Sequence, residues 1–265
     1  MQAQSNILEI KNLSKYFGGL AAVSNCSLSI KRGSITGIIG PNGSGKTTLF
    51  NLIAGNIKSN SGCILFNNEE ITNSQSYQLF SKGLLRTFQI AHEFSNLTVL
   101  ENLMVVPGNQ CGENLLTALF KPSKVSVEED LIRSKAYEVA DFLNLKHLAN
   151  ELAGNLSGGQ KKLLELGRTM MVDAKLVLLD EVGAGVNRTL LKDLGTAIQR
   201  LNKEKGFTFC MIEHDIDFIS RMCDPVIVMS EGSVLFEGTP NQVKKNDKVI
   251  ESYLGRSQKS EEEYR

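Results

Sequence analysis

A glycine-rich segment between a strand and a helix constrains the possible folds of this chain more than any other feature. Residues 40–47 read Gly-Pro-Asn-Gly-Ser-Gly-Lys-Thr and fit the pattern GxxxxGK[ST]. A compact apolar run, residues 34–39, comes directly before them, and residues 46–54 follow as an amphipathic helix candidate. In that context the pattern predicts a phosphate-binding loop within an α/β fold.

The chemistry of this loop follows from its residue types. Glycines let backbone N–H groups point inward at a phosphate chain, and the start of the next helix adds the positive end of its dipole. We expect Lys46 to neutralise β- and γ-phosphates and the Thr47 hydroxyl to hold Mg²⁺. The loop alone does not separate kinases, GTPases and ATPases. The predicted nucleotide-binding residues of the loop are Gly40, Pro41, Asn42, Gly43, Ser44, Gly45, Lys46, Thr47 and Thr48.

Two acidic residues follow a second apolar run. Asp180 and Glu181 come directly after residues 176–179, which read as a buried strand. Ligands of open α/β sheets bind beyond the carboxyl ends of the strands, so both acids are expected near the phosphates. Asp180 suits Mg²⁺ through the metal's water shell, and Glu181 would polarise a water for attack on the γ-phosphate. An ordinary strand that ends in a solvated turn is the other interpretation.

A histidine occupies the corresponding place after a third apolar run. His214 follows residues 208–212 and Glu213, and a position in the same sheet would let it hold the attacking water near the γ-phosphate. His92 and His147 have no such context, and we interpret them as ordinary surface or core residues.

Composition and charge exclude several classes of protein. The 265 residues are 42% hydrophobic and 22% charged, a mixture typical of a globular protein. The 29 basic and 29 acidic residues balance, which argues against a general nucleic-acid binder. Five scattered cysteines without a CxxC pair indicate reduced thiols rather than disulfides or a zinc site. The apolar runs are far shorter than the roughly 20 residues needed to span a bilayer, and the polar residues 1–6 predict no secretory signal.

The order of predicted elements indicates a mostly parallel sheet interrupted by helices. Short strands dominate the first third, and strands alternate with helices again from residue 176 onward. The middle third is helical in pattern, and the spacing of Ser126 and Glu129 predicts a capped helix start there. Residues 231–232 carry a hairpin signal.

Residues 156–160, Leu-Ser-Gly-Gly-Gln, narrow the class further. They open a helix, and Ser157 and Gln160 again have capping-box spacing. With the phosphate loop and the acidic pair, this pentapeptide resembles the signature of ABC-type ATPases. The resemblance implies that Ser157, Gly158, Gly159 and Gln160 contact the ATP held by an opposite subunit.

Other motifs follow in the order of that family. The resemblance makes Phe17, or adjacent Tyr16, the adenine-stacking aromatic, and it makes Gln89 a catalytic and Mg²⁺-binding residue. It makes residues 184–187 the loop that follows the acidic pair, and His214 the switch histidine; Glu181 and Lys46 complete the catalytic set. It covers roughly residues 7–255.

The same resemblance implies a fold class and a domain division. The fold is that of a P-loop NTPase of the ABC ATPase type, with a mostly parallel core, an antiparallel β subdomain and an α-helical insert. Residues 1–265 then form one domain. Its core is about residues 1–89 and 161–240, its helical subdomain about 90–160, and its C-terminal helix and tail 241–265.

Finer features are similar to the ATPase subunits of branched-chain amino-acid importers. They are Arg-Thr-Phe-Gln at residues 86–89, residues 97–103, 212–215 and 238–240, and the terminal Tyr-Leu-Gly at 253–255. Urea, amide and lipopolysaccharide transporters have closely related ATPases. One departure concerns Val182, which stands where the family usually has proline and precedes Gly183. Both acids are present, so hydrolysis is still expected.

The resemblance therefore implies an ATP- and Mg²⁺-dependent importer subunit, peripheral on the cytoplasmic face of the inner (plasma) membrane. Its expected partners are a second ABC ATPase subunit, the same or a paralogue, transmembrane permease subunits, and indirectly a solute-binding protein, with no nucleic acid. A soluble ABC ATPase and a P-loop kinase are the rival interpretations; the kinase leaves the signature unexplained. Phe94 and Leu97 are candidate anchors for a short permease helix, and their alternative is the core of the helical insert.

Overall fold

The computed structural model describes residues 5–87, 93–108 and 110–253. The strands in these residues are β1 (Asn6–Phe17), β2 (Leu20–Lys31), β3 (Ile35–Ile39), β4 (Ser61–Phe66), β5 (Glu69–Glu70), β6 (Leu84–Arg86), β7 (Leu176–Asp180), β8 (Thr208–Ile212), β9 (Val226–Ser230) and β10 (Ser233–Gly238). The numbered α-helices are α1 (Lys46–Ile53), α2 (Ser76–Lys82), α3 (Val99–Met104), α4 (Leu115–Phe120), α5 (Pro122–Phe142), α6 (Gly158–Met170), α7 (Arg188–Lys205), α8 (Ile216–Met222) and α9 (Pro240–Lys244). Residues 247–253 are helical as well.

The chain folds into two compact units. The first contains the described residues up to Arg86, Lys175–Gly183, and those from Ile198 onward. The second contains the described residues of Thr87–Ala174, together with Ala184–Ala197. Helix α7 begins in the second unit and ends in the first.

A mostly parallel sheet forms the centre of the first unit. Its strand order is β10-β9-β3-β8-β7-β6, and every neighbouring pair except β9–β10 is parallel. Strands β3, β7 and β8 are buried along their whole length, as strands covered on both faces must be. β9 and β10 form the predicted hairpin, in which Glu231 and Gly232 take the positive φ angles of a tight turn. The predicted parallel α/β core is confirmed.

An antiparallel sheet with the order β2-β1-β4-β5 is the other layer of the first unit. β2 largely alternates more and less exposed residues, and the irregular β1 buries Leu8, Ile10 and Leu13, so this sheet contributes side chains to the core. Leu8 and Phe66, from the antiparallel sheet, share one hydrophobic cluster with Phe50 of α1 and with Leu178 and Cys210 of the parallel sheet. The two sheets of the first unit therefore share one hydrophobic cluster with α1, and the predicted antiparallel subdomain is confirmed.

The second unit is helical, as the pattern of the middle third predicts. Helix α5 turns Ala136, Val139 and Ala140 inward, and Gly167 of α6 lies against this face. A side chain at Gly167 would place its Cβ 2.8 Å from Leu143 Cδ1, so the glycine allows close helix packing. None of the helices in the described ranges has the length and apolar character that crossing a membrane requires.

The predicted helix start at Ser126 is wrong. Helix α5 begins four positions earlier in the chain, at Pro122, with Lys121 as its N-cap. A proline in the first helical turn has no N–H to satisfy and a φ angle already suited to the helix, so it starts α5 before the serine is reached. Ser126 and Glu129 both lie inside α5, so they do not cap its start.

Candidate active site

The phosphate-loop sequence connects β3 to α1 in a conformation that glycines make possible. Gly40, Gly43 and Gly45 have φ angles of 154°, 74° and 99°, a region that other residues rarely adopt. A Cβ atom at Gly40 would lie 2.2 Å from the carbonyl oxygen of Met229, and one at Gly45 would lie 2.4 Å from that of Ala22. Larger residues are therefore excluded at both positions by backbone that cannot move aside cheaply.

The interior of the loop holds a cation and a buried hydroxyl. Lys46 is only 6% exposed, and its ammonium group donates hydrogen bonds to the carbonyl oxygens of Gly40 at 2.8 Å and Pro41 at 3.1 Å. Ser44 Oγ is buried and has no hydrogen-bond partner among the described residues. A buried hydroxyl without a partner is costly. A cation and a free donor inside one loop suit a phosphate group.

A cavity of about 150 Å³ lies beside the loop and brings three predicted catalytic residues together. Glu181 Oε1 and His214 Nε2 are 2.9 Å apart and share a hydrogen bond. Their side chains are 22% and 51% exposed, so both are accessible to water. The residues that line the cavity are Asn42, Gly43, Gly45, Lys46, Thr47, Thr48, Glu181 and His214.

The backbone of the acidic pair is set by the neighbouring strand. Glu181 has a φ of 48°, and its N–H donates to the carbonyl oxygen of Ile212 at 2.9 Å. Asp180 ends β7 and is 5% exposed. The parallel alignment of β7 with β8 thus places Glu181 and His214 at the same edge, as predicted for strand ends in one sheet.

Two charged residues of this region were not predicted to act there. Arg86 donates a hydrogen bond from Nη2 to Asp180 Oδ2 at 2.7 Å, and Glu213 Oε1 accepts one from the N–H of Gly183 at 2.7 Å. Burial raises the pKa of Glu213, hydrogen bonds from the Gly183 and His214 backbone lower it, and the Glu181 charge raises it further. Their positions at strand ends were the available signal, because both follow short apolar runs.

Two of the three predicted metal ligands, Thr47 and Asp180, lie among the described residues. No group of three or more His, Cys, Asp and Glu side chains in the described ranges is arranged to hold a metal ion. Thr47 lines the cavity and Asp180 is buried at the end of β7. Oxygen donors in such small number suit Mg²⁺, which keeps waters and uses substrate phosphates as ligands.

The signature residues lie in the second unit, at the start of α6. Ser157 is the N-cap: its Oγ accepts from the Gln160 N–H at 3.4 Å, and its own N–H donates to Gln160 Oε1 at 2.9 Å. The predicted capping box is therefore present. Ser157 and Gly158 are exposed, whereas Gly159 is buried. A Cβ atom at Gly159 would lie only 2.4 Å from Leu190 Cδ1, so a side chain there would clash.

The remaining candidate residues that the structure describes are not among those that line the cavity. Phe17 and Tyr16 are 50% and 47% exposed, so either ring is available to stack on a base. Gln89 and His92 lie outside the described residues. His147 lies on an exposed turn of the second unit, Lys146–Leu148, and is not one of the residues that line the cavity.

Known families and proteins match this chain along nearly its whole length. The family described as ABC transporter matches residues 23–184, and the family described as branched-chain amino acid ATP-binding cassette transporter matches residues 233–258. The probable branched-chain amino acid transport ATP-binding protein LivG of Archaeoglobus fulgidus is 42% identical, over 94% of this chain and 95% of that protein. The high-affinity branched-chain amino acid transport ATP-binding protein BraF of Pseudomonas aeruginosa is 36% identical, over 94% and 98%.

Solved structures give the same result. The ADP conformation of an ATP-binding cassette of an ABC transporter aligns with a TM-score of 0.80 at 39% identity, over 95% of this chain and 99% of that one. A dimeric cassette in a post-hydrolysis state, bound to ADP and Pi, aligns with a TM-score of 0.70 at 26% identity, over 88% and 98%. Since one family covers more than half of the chain and relatives align along almost all of it, the chain belongs to the ABC transporter family as an ATP-binding cassette that hydrolyses ATP.

Proposed function

We propose that this cassette powers the uptake of branched-chain or related amino acids through a separate permease. The support is twofold. Relatives at 42% and 36% identity are named as branched-chain amino acid transport ATP-binding proteins, and residues 233–258 match the corresponding family. Residues 1–265 then act as one ABC ATPase domain. Its predicted parts are a core of about 1–89 and 161–240, a helical subdomain of about 90–160 and a C-terminal part of 241–265.

The phosphate loop binds the nucleotide in this proposal. Lys46 contacts the β- and γ-phosphates, the buried Ser44 hydroxyl and the loop N–H groups donate to phosphate oxygens, and Phe17 or Tyr16 stacks on adenine. Thr47, Asp180 and Gln89 would hold Mg²⁺, which would supply charge neutralisation on the phosphates.

The contact between Glu181 and His214 beside the loop is the observation on which the hydrolytic assignment rests. Glu181 accepts a proton from the attacking water as the water oxygen bonds to the γ-phosphorus, while the bond from that phosphorus to the β–γ bridging oxygen breaks and ADP leaves. His214, 2.9 Å from Glu181 Oε1, holds that carboxylate in orientation and contacts the water. Accessible side chains at the cavity wall allow the water to enter.

The exposed signature at the start of α6 implies a second cassette. Ser157, Gly158, Gly159 and Gln160 would contact the ATP of a partner cassette, the same protein or a paralogue. Free N–H groups at a helix start suit a phosphate, and a dimeric cassette is among the structural relatives. The pair would attach to transmembrane permease subunits, as a peripheral assembly on the cytoplasmic face of the inner membrane, and a solute-binding protein would deliver the amino acid.

Substitution of Glu181 tests the hydrolytic assignment. Glu181→Gln keeps the shape of the side chain but cannot accept the proton, so phosphate release should fall by about 10² to 10⁴-fold while ATP still binds. Lys46→Ala should instead weaken ATP binding itself. Glu204→Gln, at an exposed ion pair with Arg200 on α7, is the matched control and should behave like the native protein. Near-normal phosphate release by Glu181→Gln would refute the assignment.

The solute is tested separately in vesicles that contain the permease. Leucine, isoleucine or valine, presented with the solute-binding protein, should stimulate ATP hydrolysis and enter the vesicles. Stimulation by urea, short amides or a lipopolysaccharide instead would leave the ATPase assignment intact and contradict the proposed substrate.

A further inference from the structure

Arg86 forms a buried ion pair with the predicted metal-binding carboxylate. Its Nη2 atom is 2.7 Å from Asp180 Oδ2, and the two side chains are only 12% and 7% exposed. Arg86 ends β6, which runs parallel to β7, so neighbouring strands bring the two charges together across 94 positions of sequence. A buried pair of this kind compensates a charge that would otherwise be costly.

A third element holds the guanidinium group in place. Arg86 Nη1 donates to Asn51 Oδ1 at 2.6 Å, and Asn51 belongs to α1, the helix that the phosphate loop opens. The Arg86 Nε atom is buried without a hydrogen-bond partner among the described residues. The forked guanidinium of Arg86 thus contacts Asp180 and Asn51 at the same time, while its Nε–H group remains without a hydrogen bond among the described residues.

We propose that Arg86 is a resident counter-ion that neutralises Asp180 when no divalent cation is bound and competes with that cation when it arrives. This inference rests on the proposed function, in which Asp180 is a Mg²⁺-binding residue. A carboxylate has room for more than one partner, but two cations on one carboxylate repel each other at short range. The Arg86 charge therefore weakens Mg²⁺ binding while it stabilises the metal-free cassette.

The position of Arg86 extends this competition beyond one contact. Arg86 lies three residues before Gln89, the other predicted Mg²⁺-binding residue, and it contacts the helix of the phosphate loop through Asn51. A change of counter-ion at Asp180 therefore acts on β6 through Arg86 and on α1 through Asn51. Arg86 is a positioning residue in this scheme, since it acts on the metal site through Asp180.

The competition is measured as the effect of Mg²⁺ on ADP affinity, which requires no hydrolysis. Isothermal titration calorimetry gives the Kd of ADP in EDTA and the Kd of ADP with saturating Mg²⁺. The first value divided by the second is the factor by which Mg²⁺ tightens ADP binding, and this ratio reports the Mg²⁺ linkage. Arg86→Gln removes the charge, and we expect the ratio to rise at least fivefold above that of the native protein. Arg86→Lys keeps the charge and should leave the ratio within about twofold, a span equal to less than half a kcal/mol. Arg133→Gln, which breaks an exposed ion pair with Asp130, is the control and should leave it unchanged.

Asp180→Asn separates this inference from the proposed function. If it abolishes the linkage while Arg86→Gln leaves the ratio unchanged or lower, the counter-ion role is wrong and the metal site stands. If Asp180→Asn leaves the linkage intact, the counter-ion role of Arg86 and the Mg²⁺-binding role of Asp180 are both overturned, while the hydrolytic assignment, which rests on Glu181 and His214, is untouched. The double variant Arg86→Gln/Asp180→Asn covers the case in which Arg86→Gln folds poorly. With both charges removed it should melt at a higher temperature than Arg86→Gln, and failure to do so would overturn the counter-ion role.

Discussion

The hydrogen bond between Glu213 and Gly183 predicts different stabilities for two substitutions of Glu213. Glu213 follows β8, is 6% exposed, and accepts the N–H of Gly183 at 2.7 Å. Gly183 is two residues after Glu181, so this bond holds the turn that carries the proposed catalytic carboxylate. Glu213→Gln keeps an acceptor and removes the charge, whereas Glu213→Ala removes both.

The magnitude follows from the two roles of the side chain. A part-buried N–H that loses its acceptor costs about 1–2 kcal/mol, and in a chain of this size each kcal/mol moves the melting temperature by about 2–4 °C. Glu213→Ala should therefore melt about 2–8 °C below Glu213→Gln. The looser turn should also reduce kcat of Glu213→Ala by about tenfold, which corresponds to about 1.4 kcal/mol of transition-state stabilisation.

The pKa of Glu213 also predicts how the stability of the protein changes with pH. Burial raises the pKa of Glu213 above its ordinary value of 4.5, so the protonated form is favoured in the folded state. The stability that this group contributes is full below pH 4.5 and is lost as the pH rises toward its folded-state pKa. Glu213→Gln does not titrate, so its melting temperature should gain on the native protein as the pH is raised above about 4.5.

Differential scanning calorimetry from pH 4.5 to 8.5, with phosphate release measured at pH 7.5, tests both parts. Melting temperatures of the two variants that coincide at pH 7.5 would show that the bond to Gly183 contributes nothing. A constant offset between Glu213→Gln and the native protein across this range would show that Glu213 does not titrate with a raised pKa.

Two further substitutions test the second unit. Ser157→Arg removes the N-cap of α6, which costs about 1 kcal/mol, and places a cation at the exposed signature. The monomer should still bind ADP, but ATP-driven dimerisation, measured by size-exclusion chromatography, should fail. An equal loss of ADP binding by the monomer would contradict the action of the signature in trans. Phe94 is 49% exposed and its ring centroid is 5.3 Å from the Arg168 guanidinium, so Phe94→Ala should destabilise the fold by only about 0.5–1 kcal/mol. The variant should keep nearly all the ATPase activity of the isolated cassette but assemble less well with the permease. A drop of more than about 10 °C in melting temperature would instead make Phe94 part of the core.

Features that depend on neighbours in sequence could be predicted from the sequence. The phosphate loop needs glycines at fixed offsets, and the Ser157–Gln160 capping box spans three positions, so local chemistry determines both. The parallel core could be predicted because β3, β7 and β8 are continuous apolar runs. Ser126 misled the prediction, because the same capping spacing occurs inside α5 once Pro122 has started the helix.

Contacts between distant strands could not be predicted. The partners of the Arg86–Asp180 pair are 94 positions apart, and those of the Glu213–Gly183 bond are 30 apart. Each depends on which strands become neighbours and on how far one side chain reaches, and periodicity carries no information about either. A charged residue at the end of an apolar run indicated a site, but it did not indicate the partner.

In the turn after the acidic pair, contacts with distant residues restrict the backbone where a proline would restrict it locally. A proline after Glu181 would restrict the turn by its ring, which fixes φ and removes the N–H. Val182 has neither property, yet it is 4% exposed and so is held by packing, and the next N–H, that of Gly183, is held by Glu213. Glu181 itself keeps a φ of 48° and a hydrogen bond to Ile212 of the neighbouring strand. The backbone of this turn is therefore held by one buried apolar side chain and two hydrogen bonds to the β8 region, and the Glu181 carboxylate itself contacts His214, so a valine in place of proline does not release the carboxylate.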